Sequence, residues 1–309
     1  MLSPYASFEV LALVTASLCG VHAYRTNDLP FFATSVVYGL VLEKLVVVGF
    51  EDYTYPAARF VDVLGIPVAI GLGWSVVLYA GYETARRWEI SPPARAAFVA
   101  LFVLHVDLAL DAVAIRFQPV GFWTWTPAGE YFGVPLGNFF GWFAVGFLFV
   151  AVYDVALARA GDADWTEGVD AVRTRTVAAA VTLVAASALI YAAMLAWDVV
   201  TVESTVRKAV VLGACMVAAA VAVVRSGASL RQPAALPSFA VFLTHGYFLA
   251  ALLWLGVHGR QPFLLAMSLA MLAVAAALHV VPAIVDDPDG RADGDAGQAG
   301  EDAATRPSR

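Results

Sequence analysis

What most constrains this chain is the length of its apolar runs. Near residues 5–24, 30–50, 60–82, 95–115, 133–158, 175–198, 207–225, 236–257 and 262–284 it continues almost without charge for the length of a bilayer crossing. A helix needs roughly 20 apolar residues to cross the hydrocarbon core. In lipid only helices and closed barrels satisfy their own backbone, and barrel strands are about half this long. The expected fold is therefore all-α, a polytopic transmembrane helical bundle of about eight to nine helices, multi-pass in the cell membrane. Met1 to Tyr24 carries no positive charge ahead of its apolar run, so it reads as a first span rather than a cleaved signal.

Composition agrees, with 61% hydrophobic and 14% charged residues. Residues 1–285 form the expected transmembrane domain. The tail "DDPDGRADGDAGQAGEDAATRPSR", residues 286–309, is acidic and lacks aromatic residues, so it is expected to be disordered. A net charge of -7 argues against nucleic acid as a partner. Arg25, Arg86, Arg87, Arg95, Arg159, Arg173, Arg175, Arg225 and Arg231 fall in one set of alternate connections. Arg59, Arg116, Arg207, Lys208 and Arg260 fall in the other. Nine against five favours an outside N-terminus and a cytoplasmic tail.

Inside the fourth run, "LHVDLALDAVAI" sets Asp107 and Asp111 four apart, which on a helix places both carboxylates on one face, roughly 5–6 Å apart. A carboxylate at mid-bilayer costs about 2.5–3.5 kcal/mol on insertion scales, so such residues face a bundle interior and serve a purpose there. Two carboxylates this close in low dielectric resist ionising together, and the pair is expected to hold one proton as an acid beside an anion. That arrangement suits proton donation followed by stabilisation of a developing positive charge. The structural alternative is an inter-helix hydrogen bond or an ion pair with Arg116 or Lys44.

Glu43 and Lys44 are the other charges within a span. Neighbours on a helix point about 100° apart, so at most one of them faces the aspartates. Glu51, Asp52, Tyr53 and Tyr55 follow, either as part of a site or as an ordinary polar boundary. The connection "RFQPVGFWTWTPAGEYFGVPLGNFFGW", residues 116–142, is rich in Gly, Pro and aromatics. Trp123 and Trp125 are either interfacial belt residues or part of a segment roofing a cavity.

Other chemistries lack their residues. The five histidines, among them His105 and His245, show no di-iron spacing and read as packing residues, with His245 alone in its helix. Cys19 and Cys215 read as packing residues too, and no nucleotide loop or haem-attachment motif occurs. No metal and no cofactor is expected.

The order "DLALDAVAI", "GFWTW", "EYFGVPLGNFFGW" closely resembles the membrane-integral carotenoid biosynthesis proteins that hydrate the ends of acyclic carotenoids. The likeness is densest over residues 104–142 and looser through "GFEDYTYP" and "GIPVAIGLGW". The resemblance implies Asp107, Asp111 and Glu43 as catalytic residues. It implies Trp123, Trp125, Tyr131, Asn138, Trp142, Trp74 and Tyr55 as substrate-binding residues. Ala112 departs from the pattern, since many members carry proline after the second aspartate, which would kink the helix there. The implied reaction is cofactor-independent hydration of a terminal isopropylidene bond, through protonation to a tertiary carbocation and capture of water.

The implied partners are a lipophilic carotenoid, the bilayer and other carotenoid-biosynthesis enzymes. A lysine-poor, acidic chain suits a salt-adapted haloarchaeal source, and hence bisanhydrobacterioruberin as substrate and bacterioruberin as product. Two alternatives stay open: an intramembrane prenyltransferase, which would need a second aspartate motif, and a proton-coupled transporter or carotenoid-binding protein using the aspartates as a relay.

Overall fold

The computed structural model describes residues 3–50, 53–161, 171–202, 204–229 and 231–282. The tail expected to be disordered lies outside them, as do Glu51 and Asp52. The helices are α1 (Pro4–Arg25), α2 (Leu29–Gly49), α3 (Val68–Arg87), α4 (Pro92–Ala114), α5 (Leu136–Gly161), α6 (Ala171–Thr201), α7 (Thr205–Arg225), α8 (Ala235–Trp254), the short α9 (Val257–Arg260) and α10 (Pro262–His279). Starts are written locally. Ser3 caps α1 by accepting from the Ala6 N–H, and proline opens α1, α2, α4 and α10, where its missing N–H and fixed φ cost nothing.

Among the described residues eight helices are long and apolar enough to span a membrane, and α3 falls outside that set. It carries Glu83, Arg86 and Arg87 in its last turns, yet every residue from Trp74 to Ala85 is buried. A helix wrapped by α1, α2, α4 and α8 exposes little of its length to lipid and needs less hydropathy. The run expected from residue 60 begins as a helix only at Val68. Residues 62–67 instead form an antiparallel pair, β2 (Asp62–Val63) with β3 (Ile66–Pro67), turning through Leu64 at φ 55° and Gly65 at φ 81°. Glycine takes that left-handed turn without strain.

α3 and α4 are the central helices, and α4 is buried along most of its length. Buried ion pairs gather at one end of the bundle. Asp28 at the start of α2 meets Arg86 at the end of α3 (2.8 Å) and Arg175 at the start of α6 (3.4 Å), and Asp154 of α5 meets Arg95 at the start of α4 (2.9 Å). The opposite end collects the end of α4, the starts of α3 and α5, and two aromatic connections. These join where β1 (Tyr53–Thr54) pairs antiparallel with β4 (Thr124–Trp125).

Candidate active site

Asp107 and Asp111 lie on the last two turns of α4, with 0% and 2% exposure. The helix continues regularly through Ala112 to Ala114, as alanine in place of proline allows. Asn138, in the first turn of α5, donates from its amide nitrogen to both carboxylates, at 2.9 Å to Asp107 Oδ2 and 2.7 Å to Asp111 Oδ2. One NH2 group thus spends both hydrogens holding two acids together. Trp123 lines the same cavity as Asp111. Asp107 Oδ1 is buried and has no hydrogen-bond partner among the described residues. Neither basic candidate pairs with the aspartates: Lys44 donates to the Leu64 carbonyl at 2.9 Å, and Arg116 to the carbonyls of Ala112 and Phe132.

Glu43 of α2 turns inward and Lys44 outward, as their 100° separation requires. Three donors converge on the Glu43 carboxyl: the Tyr53 hydroxyl in a short hydrogen bond, the Tyr55 hydroxyl at 2.7 Å and the Trp74 Nε1 at 2.9 Å. Burial, then the charge of Glu43, pushes both phenols well above the ordinary tyrosine range, so they stay O–H donors. Gly39, one turn before Glu43, allows the reach from α3, since a Cβ there would stand 2.7 Å from the Trp74 Cβ. The Trp74 ring then packs on Trp142 at 4.2 Å between centroids.

These groups close one end of a cavity of about 720 Å³, its mouth included. Glu43, Asp111 and Asn138 line that end under Trp74, Trp142 and the rings of the roof. Across the β1–β4 pair Tyr53 contacts Trp125 at 4.6 Å, and Tyr55 faces Trp123 at 6.3 Å. The roof is pinned to α1, where Phe122 stacks on Phe8 at 4.7 Å and the Tyr5 hydroxyl donates to the Val120 carbonyl at 2.7 Å. The Trp125 Nε1 is without a partner among the described residues.

Of the residues named from sequence, Glu43, Tyr55, Trp74, Asp111, Trp123, Trp125, Asn138 and Trp142 line one cavity. Asp107 sits behind Asp111, linked to it through Asn138. Tyr131 is outside the lining: its hydroxyl donates to the Leu108 carbonyl at 2.9 Å and its ring packs on Phe139, bracing the connection against α4 and α5. Tyr53 was left open as a boundary residue and here donates to Glu43. The walls from α1 and α8 carry no sequence signature beyond apolarity at helical spacing. His245, expected to be alone in its helix, meets His105 of α4, Nε2 to Nε2, at 3.3 Å.

With this geometry in view, the comparison with protein families is decisive. The model of the family described as carotenoid biosynthesis protein matches residues 5–220. The chain belongs to that family. Membership gives it a role in carotenoid biosynthesis, and the match extends well past the region of densest motif resemblance, through α5 and α6 into α7. Searches of curated proteins and of solved structures return no match.

Proposed function

We propose that this protein is a carotenoid hydratase that adds water across the terminal isopropylidene bond of an acyclic carotenoid, converting bisanhydrobacterioruberin to bacterioruberin. The observation that carries the proposal is the placement of two carboxyl groups, Glu43 and Asp111, with Asp107 behind Asp111 and all three held by neutral donors, at one end of an otherwise apolar, aromatic-roofed cavity. Asp111, which lines the cavity, delivers the proton to the less substituted alkene carbon, and the alkene's electron pair forms the new C–H bond. The tertiary cation left behind lies under Trp123, Trp125 and Trp142, whose ring faces attract positive charge. Glu43, oriented by Tyr53, Tyr55 and Trp74, receives the proton that the adding water loses as its C–O bond forms. Asp107, held beside Asp111 by Asn138, stays ionised as the counter-charge, and the proton taken up by Glu43 returns to Asp111 through solvent, so the acid is restored and the sum is addition of one water.

The site end lies opposite the nine arginines, so by the positive-inside rule it faces outward in the cell membrane. The substrate arrives through the bilayer from other enzymes of the pathway, and the acidic, lysine-poor composition supports a substrate of salt-adapted cells.

The test is expression in cells that accumulate bisanhydrobacterioruberin, with pigment masses read before and after. The expected result is a gain of one water for each end processed, labelled in heavy-oxygen water. Unchanged pigment would remove the assignment, and a gain of an isoprene unit would move it to prenyl transfer.

A further inference from the structure

The cavity does not stop at the acids. Beyond them it runs between three helices that each present an apolar stripe at helical spacing: Phe8, Ala12 and Thr15 on α1, Gly73 and Val77 on α3, Thr244 and Phe248 on α8. The two threonines bring no free polarity to this arm. The Thr15 hydroxyl donates to the Leu11 and Ala12 carbonyls, and the Thr244 hydroxyl to the Ala240 carbonyl. One chamber therefore has all its hydrogen-bonding groups at one end and an apolar bore at the other. That shape fits a long, slender apolar chain entering with one reacting terminus foremost.

Gly73 stands where the arm meets the acid end, next to Trp74. A glycine inside a helix weakens it relative to alanine, so its presence calls for a reason. At Gly39, Gly71, Gly81 and Gly146 the reason is packing, because a Cβ would stand 2.9 Å or less from a neighbouring atom. At Gly73 nothing lies within 4 Å of a Cβ position, yet the residue lines the cavity. The space kept free there belongs to the bore, not to a neighbouring helix.

We infer that the arm between α1, α3 and α8 is the binding channel for the polyene chain next to its reacting end, and that Gly73 sets the bore of that channel. This rests on the hydratase reading for the identity of the terminus, but the channel itself is testable without turnover. It also gives α8 a part in the site, although the family match ends at residue 220, before that helix begins.

The experiment uses full-length protein purified in detergent from cells making lycopene, an acyclic polyene with two isopropylidene ends. Visible absorbance per protein measures bound pigment, and mass of the extracted pigment measures hydration. Protein with the Asp111→Asn substitution should retain unreacted lycopene. Adding Gly73→Leu to it should lower bound pigment at least tenfold, with Gly73→Ala intermediate. Gly246→Leu, at another helical glycine with open space but outside the cavity, should leave binding unchanged and control for the cost of folding a new leucine. Retention of pigment by folded Gly73→Leu protein, or no pigment bound by either the native chain or the Asp111→Asn variant, would overturn the channel. Pigment bound by the native chain in a Gly73-dependent way but never hydrated would leave the channel standing and remove the hydratase reading.

Discussion

At the arginine-rich end of the bundle every buried carboxylate among the described residues faces a cation: Asp28 lies between Arg86 and Arg175, Glu83 meets Arg87 at 2.9 Å, and Asp154 meets Arg95 at 2.9 Å. At the site end Glu43, Asp107 and Asp111 meet two phenols, one indole and one amide. Among the described residues none of these three acids forms a salt bridge. The difference separates two uses of buried charge. Pairing repays part of the desolvation and ties helices together, so removing one partner strands the other. Three acids held by neutral donors receive no such repayment from a cation, which is why the proposed function places them against a ligand. The arginine-rich end joins α2, α3, α4, α5 and α6, and the site end is the load they carry into place.

The sharpest break in the comparison is Asp111→Asn, which keeps shape and removes the titratable group. Pigment conversion should fall by about 10²–10⁴-fold, the usual worth of a positioned general acid. Thermal unfolding in detergent should be nearly unchanged, because asparagine replaces a neutral acid of the same shape and keeps an oxygen to accept from Asn138. Conversion near the native rate would end the role of this acid. The mirror-image substitution is Asp28→Leu, which leaves Arg86 and Arg175 without their shared carboxylate. Stability should drop by about 3 kcal/mol, seen as an earlier unfolding transition, while conversion per folded molecule stays at the native level. If Asp28→Leu instead lowered conversion with stability intact, the division between the two ends would be wrong.

How much of this could be read beforehand depends on distance along the chain. Asp107 with Asp111, and Trp123 with Trp125, lie within local patterns, so helical and motif spacing alone group them. Helix geometry alone left Glu43 over Lys44 open and only the family resemblance pointed to Glu43, because facing is decided by Trp74 reaching across from α3 past Gly39. The start of α3 was misplaced by eight residues since hydropathy treats "VDVLGIPV" as part of an apolar run. There a left-handed turn at Leu64 and Gly65 makes a strand pair. The channel wall from α8 and the contact of His105 with His245 depend on pairings of 140 residues' separation or the like, for which one sequence carries no signal.

A smaller effect separates the site's own carboxylates. Glu43 is positioned by three donors, and Tyr55→Phe removes one hydroxyl while keeping the ring against Trp123 and Tyr53. Hydrogen bonds to charged groups are worth about 1.5–3 kcal/mol, so turnover should fall roughly 10–100-fold, with lycopene binding by the protein unchanged. Loss of binding in step with turnover would show that the Tyr55 hydroxyl holds the substrate rather than positions Glu43.

The smallest expected effect concerns the rings, and it returns to the same contrast. At the arginine-rich end Tyr82 holds permanent cations, with the guanidinium of Arg95 at 5.5 Å and that of Arg86 at 5.7 Å from its ring centre. At the site end Trp125 faces a cavity in which, under the proposed hydration, positive charge exists only while the alkene is protonated. A ring that stabilises a resident cation acts on folding, and a ring that stabilises a transient one acts on rate. Trp125→Phe keeps a π face and removes an N–H that has no partner among the described residues, so conversion should change by less than about fivefold, within the 0.5–1 kcal/mol of an exposed cation–π contact. Trp125→Leu removes the π face and should cost roughly tenfold or more in rate with little change in unfolding temperature. Tyr82→Leu should do the reverse. Equal losses for Trp125→Phe and Trp125→Leu would show that the indole N–H, not the ring face, is what the reaction uses.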